Sequence, residues 1–530
     1  MHAYILTNGT ILTMVSGRPE AEALLVTGNE IKAVGTLAAC RAAAPAATEI
    51  DLGGRVVVPG FNDAHLHMVH AGAQEQRVLL SGLSKSEILA RLREAAAAMP
   101  EGELLTAYGW DYESCPDPHL RDLDEAFGDR PVILTQFSGH GAWLNSAGLA
   151  HVGISKDTPD WDYGGTNKDA AGELIGTLRE PAYAPGYKAW LEAESKNPER
   201  TLAHLEAAMR LFARLGITSV GDNTWYPWHL EAIAQLARER RLTVRVTSWS
   251  RGDLPDLEAE FDAHEYEGRW HRRGLSKFFL DGAFSTYTAW LSEPYADRPD
   301  TRGSGMDPEA IERFLEAKTR DGRQTASHSI GDAATAAYVQ AAAAVAKRHE
   351  LAPLRHRIEH GQLIHSSDID RMAELGLLVC AQPHAAAEPE KDKRLLGEPR
   401  AKRAYPFRSL LDAGVPLSFS SDFPGEVTID PMFGIHLAVN RPGGEAISVE
   451  EALYAYTAGG AYAEFAEDYK GKLAPGYVAD LAVLSADPRA VAPEKLRDVC
   501  VDATIVDAAL AYEREGAAGL GSVPHAGPGA

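Results

Sequence analysis

The sequence has little of several features that would point directly to a function class. Its 530 residues include only four cysteines, and none of these forms a C-x-x-C pair. We therefore expect neither a disulfide framework nor a thiolate metal site. The first residues lack a basic start followed by an apolar core, and no later run approaches the ~20 apolar residues of a membrane span. A cytoplasmic location with no membrane partner is the expectation.

Basic residues are also scarce. There are 52 Lys and Arg against 75 Asp and Glu, which gives a formal charge of −23 with His neutral. Because affinity for nucleic acid comes mainly from Lys and Arg, and no basic block is present, a nucleic-acid partner is not expected. The acidity also disfavours anionic membranes. We expect a small-molecule substrate, and the chain is compatible with a homodimer.

The middle of the chain predicts an α/β fold. Short apolar or β-branched runs alternate with helix-favouring runs rich in Ala, Leu, Glu and Arg, which is typical of βαβ units with a parallel sheet. Eight strand-like runs fit a (β/α)8 TIM barrel. They are Val56–His67, Ile217–Gly221, Leu242–Trp249, Ser276–Gly282, Gln324–Ile330, His356–Gly361, Leu377–Pro383 and Pro416–Asp422.

The two ends of the chain differ from the middle. Both contain short strands separated by turns, and the strands of either end are too few for a core of their own. We predict a discontinuous small β-sandwich domain formed by residues 1–58 and 468–530, with the barrel in residues 59–467. The roughly 150 residues between the first two barrel strands exceed one crossover, so residues 72–210 are predicted to contain an inserted cap subdomain on the catalytic face.

The segment that ends the first predicted strand carries two histidines, His65 and His67. Residues i and i+2 of an extended chain point the same way, so both imidazoles project toward one point and suit a shared metal ion. An H-x-H pair alone is common. Its position at a strand end is informative, because barrel enzymes place their catalytic groups there.

Four other predicted strands also end in a potential metal ligand. Polar side chains in buried strands need polar partners, and one metal centre would be a partner for all four of these side chains. For any single histidine, a hydrogen-bonded core residue is the alternative. The four residues are Lys277, His328, His360 and Asp422.

These residues together resemble the amidohydrolase superfamily of metal-dependent hydrolases. Within it, several phrases are similar to the N-substituted formamide deformylase-like branch, and the similarity covers nearly the whole chain. The phrases are Pro59-Gly60-Phe61-Asn62-Asp63-Ala64-His65-Leu66-His67, Gly139-His140-x-x-Trp143-Leu144-Asn145-Ser146, Lys277-x-x-x-Asp281-Gly282, His328-Ser329-Ile330-Gly331-Asp332, Arg357-Ile358-Glu359-His360 and Ser421-Asp422.

The resemblance implies a binuclear centre of two divalent ions, usually zinc, bridged by hydroxide and by a lysine carboxylated with carbon dioxide. Carried over by position, His65, His67 and Asp422 would hold one ion and His328 and His360 the other. Lys277 would be the carboxylated bridge. A salt-bridging Lys277 is the alternative, since single-metal members of the superfamily lack such a lysine.

The implied reaction is hydrolysis of a C–N bond at a carbonyl, in an amide, N-formyl, N-acyl or carbamate-like small molecule that is not a peptide. Metal coordination lowers the pKa of bound water and polarises the carbonyl. Asp422 would orient the water and carry its proton to the departing amine. Lys277 and His140 complete the predicted catalytic set, and His140 would bind the substrate carbonyl unless it is an ordinary surface histidine.

Further residues are predicted around this centre. Asp63 and Asp281 would either orient ligands or cap turns. If aromatic side chains near the mouth line the pocket, the substrate has an apolar or aromatic moiety, and packing within the protein is the alternative. The predicted substrate contacts besides His140 are Trp143, Phe284, Tyr287 and His384.

Three other functions remain open. A one-metal aminohydrolase that deaminates a heterocycle is disfavoured by Lys277 but supported by Glu359 as a proton shuttle. A metal-dependent decarboxylase uses the same kind of scaffold. A barrel that has lost its site and serves as a binding protein would usually lack ligands, whereas all six expected types are present here.

Overall fold

The computed structural model describes residues 2–136, 141–159, 165–195, 197–224, 226–426, 428–517 and 519–525. The chain divides into two compact units, one formed by Met1–Ala71 with Ala208–Ala530 and the other by Gly72–Ala207. The second unit spans nearly the same residues as the predicted insertion. The terminal strands belong to the same unit as the barrel. Among the described residues, no helix combines the length and hydrophobicity that crossing a membrane requires.

Eight parallel strands form the nearly closed barrel that the sequence predicts. Each strand pairs with the next one in the chain, so the order in the sheet is consecutive. The strands are β1 (Phe61–Leu66), β2 (Ile217–Asn223), β3 (Arg245–Arg251), β4 (His271–Phe279), β5 (Thr325–Ser329), β6 (Arg357–His360), β7 (Leu378–Ala381) and β8 (Leu417–Phe419).

The run predicted as one strand, Val56–His67, is two strands in two sheets. Val56–Pro59 pairs with strands of the terminal region, and β1 begins at Phe61. The break is at Gly60, where a Cβ atom would lie 2.1 Å from the Thr218 hydroxyl oxygen. A larger residue would therefore push β1 away from β2.

The ends of β1 and β8 meet through the backbone. The Asp422 N–H donates to the His65 carbonyl at 2.8 Å, and the His67 N–H donates to the Phe423 carbonyl at 3.0 Å. These bonds place the segment after β8 directly beside the H-x-H segment.

Two further sheets come from the chain ends. A four-stranded sheet contains Ala3–Thr7, Ala23–Thr27, Glu30–Gly35 and Thr48–Asp51, and a six-stranded sheet contains Thr10–Val15, Arg18–Ala21, Val56–Pro59, Leu481–Leu484, Val501–Val506 and Ala509–Glu513. The strand Val56–Pro59 pairs with Leu481–Leu484, so strands from both ends share one sheet. Apolar side chains of both sheets, including Leu24 and Ile505, form one buried cluster.

Helices separate most barrel strands, as expected for βα units. The helices within the unit that contains the barrel are Leu37–Ala43, Pro227–Arg238, Pro255–Ala263, Pro308–Arg320, Asp332–Val345, Ser366–Leu375, Pro389–Leu396, Glu398–Arg403, Phe407–Asp412, Pro431–Val439, Val449–Tyr454 and Gly460–Ala463. Helices Met68–Glu75 and Pro198–Arg214 contain the boundaries between the two units.

The unit Gly72–Ala207 has its own sheet and core. Its sheet contains Val78–Leu79, Leu105–Trp110, Val132–Gln136, Gly141–Leu144, Gly165–Lys168 and Leu174–Arg179, and its helices are Lys85–Ala97, Leu120–Phe127, Ser146–His151 and Ala184–Ser195. Trp110 and Trp143 pack edge to face in the core, with ring centroids 5.9 Å apart.

Candidate metal centre

The contact between the ends of β1 and β8 brings His65, His67 and Asp422 together. The Nε2 atoms of His65 and His67 lie 3.5 and 3.3 Å from Asp422 Oδ1. One potential ligand atom from each of the three residues lies within 4.8 Å of the other two. This spacing suits a single metal ion.

Neighbouring groups fix the other ring nitrogen of each histidine. His65 Nδ1 lies 2.7 Å from Glu359 Oε2, and His67 Nδ1 lies 3.2 Å from the Asn223 carbonyl oxygen. A histidine that donates from Nδ1 presents its lone pair at Nε2, which is how metal-binding histidines are commonly oriented. Both rings therefore direct Nε2 toward Asp422.

His328 and His360 lie next to this cluster but are not part of the three-residue group. Their ring centroids are 4.3 Å apart, and those of His65 and His360 are 5.4 Å apart. His360 Nδ1 lies 2.6 Å from Gln382 Oε1, and its buried Nε2 has no hydrogen-bond partner in the described part of the chain. His328 Nε2 lies 3.1 Å from the Gly282 carbonyl oxygen, which leaves Nδ1 as its ligand atom.

Lys277 is buried among these groups, with 1% of its surface exposed. Burial lowers the pKa of Lys277 to about 8, which favours the neutral amine that carboxylation requires. Burial and the Lys277 charge likewise lower the pKa of His65 to about 4 and that of His360 to about 3, so both imidazoles are neutral, as metal ligation requires. The charges of Glu359 and Asp422 oppose this lowering of the Lys277 pKa, and carboxylation of Lys277 stays a prediction.

Two of the candidate ligand residues have left-handed backbone conformations. The φ angle is 72° at His360 and 54° at Asp422. Such angles cost ~1–3 kcal/mol at residues other than glycine and persist where surrounding structure holds them. The angle at His360 matters for the site, because Glu359 already points toward His65 and regular strand alternation would turn the next side chain away.

Sequence reasoning did not assign Glu359 the role that the structure gives it. Arg357 Nε and Nη2 donate to the two Glu359 oxygens at 2.7 and 3.1 Å, and both residues are fully buried. Burial would raise the pKa of Glu359, but the charge of Arg357 and the hydrogen bond with His65 outweigh it and hold that pKa well below its usual range. A carboxylate held in this way orients His65 and is poorly suited to shuttle protons. The feature of the sequence that could have indicated this role is the Arg-x-Glu spacing within a buried strand.

Asp63 and Asp281 hold the backbone of ligand-bearing segments. Asp63 Oδ1 accepts from the N–H groups of His65 and Ser421 at 3.3 and 3.0 Å. Asp281 Oδ1 lies 4.0 Å from His328 Nε2. The carboxylate of Asp281 accepts three backbone N–H groups, those of Trp290, Ile330 and Gly331.

The predicted substrate contacts are less well supported. His140 lies outside the described residues. Trp143 and Phe284 are 0% and 5% exposed, which favours the packing alternative for both, and His384 is likewise buried, at 1% exposed. Tyr287 is partly exposed, and its hydroxyl donates to Asp297 Oδ2 at 3.0 Å.

The chain is similar to known proteins over nearly its whole length. The profile of the Amidohydrolase family matches residues 48–512. The protein YtcJ of Bacillus subtilis (strain 168) is 32% identical over 537 residues, which cover 96% of this chain and 98% of that protein. A protein of Arthrobacter pascens named N-substituted formamide deformylase is 30% identical, and the aligned residues cover 97% of this chain and 99% of that protein. The crystal structure of an uncharacterized metal-dependent hydrolase from Pyrococcus furiosus matches with a TM-score of 0.78 and 31% identity, over 92% of this chain and 100% of that one.

Proposed function

The chain belongs to the amidohydrolase family and is a hydrolase of C–N bonds, and from this premise we propose that it uses divalent metal ions to hydrolyse a non-peptide amide. The substrate class is an N-formyl, N-acyl or carbamate-like small molecule. The observation that carries the proposal is the convergence of His65, His67 and Asp422, in which the Nε2 atoms of both histidines lie 3.5 and 3.3 Å from Asp422 Oδ1. The name of the Arthrobacter pascens relative supports a formamide among the candidates.

The donor set fits a pair of divalent ions such as zinc. His65, His67 and Asp422 would hold one, His328 and His360 the other, and a carboxylated Lys277 would bridge them. Imidazole and carboxylate are ordinary zinc ligands. The buried Nε2 of His360, which has no hydrogen-bond partner among the described residues, would gain a partner by binding an ion. The ions would polarise the substrate carbonyl and lower the pKa of water.

The residues of the chain then orient the reaction and move the proton. Asp422 Oδ1 faces His65 and His67, and Oδ2 lies 4.0 Å from His360 Nδ1. This carboxylate can accept the proton of the attacking water and deliver it to the departing amine nitrogen. Asp63 fixes its position by holding the Ser421 N–H, one residue before it.

The proposal is tested by a turnover screen of zinc-loaded protein against formamides, N-acyl amines, carbamates and aminoheterocycles. We expect release of an amine from at least one of the first three classes. We also expect Asp422→Asn to lower kcat by about 10²–10⁴-fold, the usual contribution of a general acid–base group, while zinc stays bound.

Elemental analysis of the purified variants gives the metal content. Turnover of aminoheterocycles alone, or near-normal kcat in the zinc-containing Asp422→Asn protein, would overturn the proposal. Glu445→Gln is the matched control, because Glu445 accepts hydrogen bonds from Ser409, outside the site.

A further inference from the structure

A cavity lies at the opposite end of the barrel from the candidate metal centre, where β3 to β6 begin. Its volume is about 230 Å³, enough for a small polyatomic ion. Four arginines line it together with one glutamate, and they are Arg272, Arg273, Arg323, Arg357 and Glu464.

The charges around this cavity do not cancel. Arg273 and Arg323 share the carboxylate of Asp262, and Glu258 lies 3.9 Å from Arg273 but also pairs with Lys318. Glu359 pairs with Arg357, and Glu464 pairs with Lys470 at 2.7 Å. Arg272 has no carboxylate within 4 Å in the described part of the chain. Its guanidinium donates to the Tyr469 hydroxyl oxygen at 3.0 Å and to the Phe465 carbonyl at 3.3 Å. The cavity therefore has an excess of positive charge.

Two fully buried side chains at this cavity also have unused hydrogen-bond donors. Arg357 Nη1 and Trp249 Nε1 have no partner among the described residues, although both side chains are 0% exposed. A buried donor without an acceptor costs about 1–3 kcal/mol, so such groups are rare without a ligand or ordered water.

We propose that this cavity binds a small tetrahedral oxyanion of the sulfate or phosphate type. The anion would accept hydrogen bonds from Arg357 Nη1 and Trp249 Nε1 and offset the charge of Arg272. The same guanidinium of Arg357 holds Glu359, which contacts His65. The cavity is thus connected to the metal centre through three consecutive side chains.

The test is titration of inorganic sulfate into the protein by calorimetry, with chloride holding ionic strength constant. We expect one saturable site per chain in both metal-free and zinc-loaded protein. Arg272→Gln should weaken sulfate binding about tenfold, the effect expected of one nearby charge, and Arg272→Lys should restore much of it. Trp249→Phe keeps an aromatic ring but removes the donor, and it should also weaken binding.

Arg313→Gln is the matched control, since Arg313 is 68% exposed on helix Pro308–Arg320 and does not line the cavity. Circular dichroism verifies that each variant is folded. Absence of saturable binding in the wild-type protein, or equal affinity in the wild-type, Arg272→Gln and Trp249→Phe proteins, overturns the inference. Because binding is measured without substrate, failure of the turnover screen leaves this result unaffected.

Discussion

At the residue scale, the candidate metal centre depends on neighbours that hold one nitrogen of each imidazole. Glu359, Asn223 and Gln382 contact the Nδ1 atoms of three candidate ligand histidines, His65, His67 and His360. Only Glu359 among them is charged, and its other contact is the buried Arg357. These neighbours lie on β6, on β2 and just after β7, so each ligand is oriented from a different part of the barrel.

Substitution of Glu359 tests this orientation. Glu359→Gln keeps the size of the side chain but removes the charge near His65, and we expect zinc affinity to fall about 10–100-fold. It also leaves Arg357 without a buried carboxylate, so the free energy of unfolding should fall by about 3–5 kcal/mol. Competition with a chromophoric chelator measures the first effect, and denaturant unfolding measures the second.

Glu464→Gln is the matched control, because Glu464 is also a buried partner of a cation, Lys470, but contacts no ligand histidine. It should lower stability and leave zinc affinity unchanged. An equal loss of zinc affinity in both variants would show that Glu359 acts only through stability.

Carboxylation of Lys277 is a second prediction at this scale. Burial lowers its pKa to about 8, so a substantial neutral fraction is available to react with carbon dioxide. Protein reconstituted with zinc and ¹³C-labelled bicarbonate should show one carbamate signal by NMR that is absent from Lys277→Ala. Lys188→Ala, at a position where the side chain is 79% exposed, should keep the signal. Persistence of the signal in Lys277→Ala would contradict the assignment.

At the scale of elements, eight short strands could be predicted because each is an apolar run bounded by helix-favouring sequence. Their ends were also recognisable as positions of candidate ligands, since polar residues there interrupt otherwise buried runs. The division of Val56–His67 between two sheets was not predictable, because Pro59-Gly60 does not show that Val56–Pro59 pairs with Leu481–Leu484. The boundary between a terminal β-sandwich domain and the barrel stays a prediction, as does the role of residues 72–210 as a cap.

At the scale of the whole molecule, buried neutral histidines make stability depend on pH. Burial lowers the pKa of His356 to about 4, and its ring accepts from the Thr325 N–H and lies 3.1 Å from the Thr319 hydroxyl. The unfolded chain, with an ordinary pKa near 6.5, binds a proton before the folded chain does. The contribution of neutral His356 to the free energy of unfolding is therefore fully present above about pH 7 and is lost as the pH falls toward 4.

We expect His356 alone to lower the free energy of unfolding by about 2 kcal/mol between pH 7 and pH 5. Denaturant unfolding of metal-free protein at both values measures the change. His356→Gln can keep both hydrogen bonds without titrating, so its loss between the two values should be smaller by that amount. His151→Gln replaces an exposed histidine and should behave as the wild type. A pH dependence unchanged in His356→Gln would contradict the prediction.

The sequence by itself determined the fold class, the family and the six potential ligands, because periodicity and strand-end polarity are local properties of the chain. The cytoplasmic location and the aromatic character of the substrate stay predictions. Only the tertiary structure decided which nitrogen of each histidine faces the centre, that Glu359 positions His65, and that Trp143 lies in a hydrophobic core. These facts depend on residues far apart in sequence, such as His65 and Asp422, and on the positive φ at His360, which no strand pattern specifies.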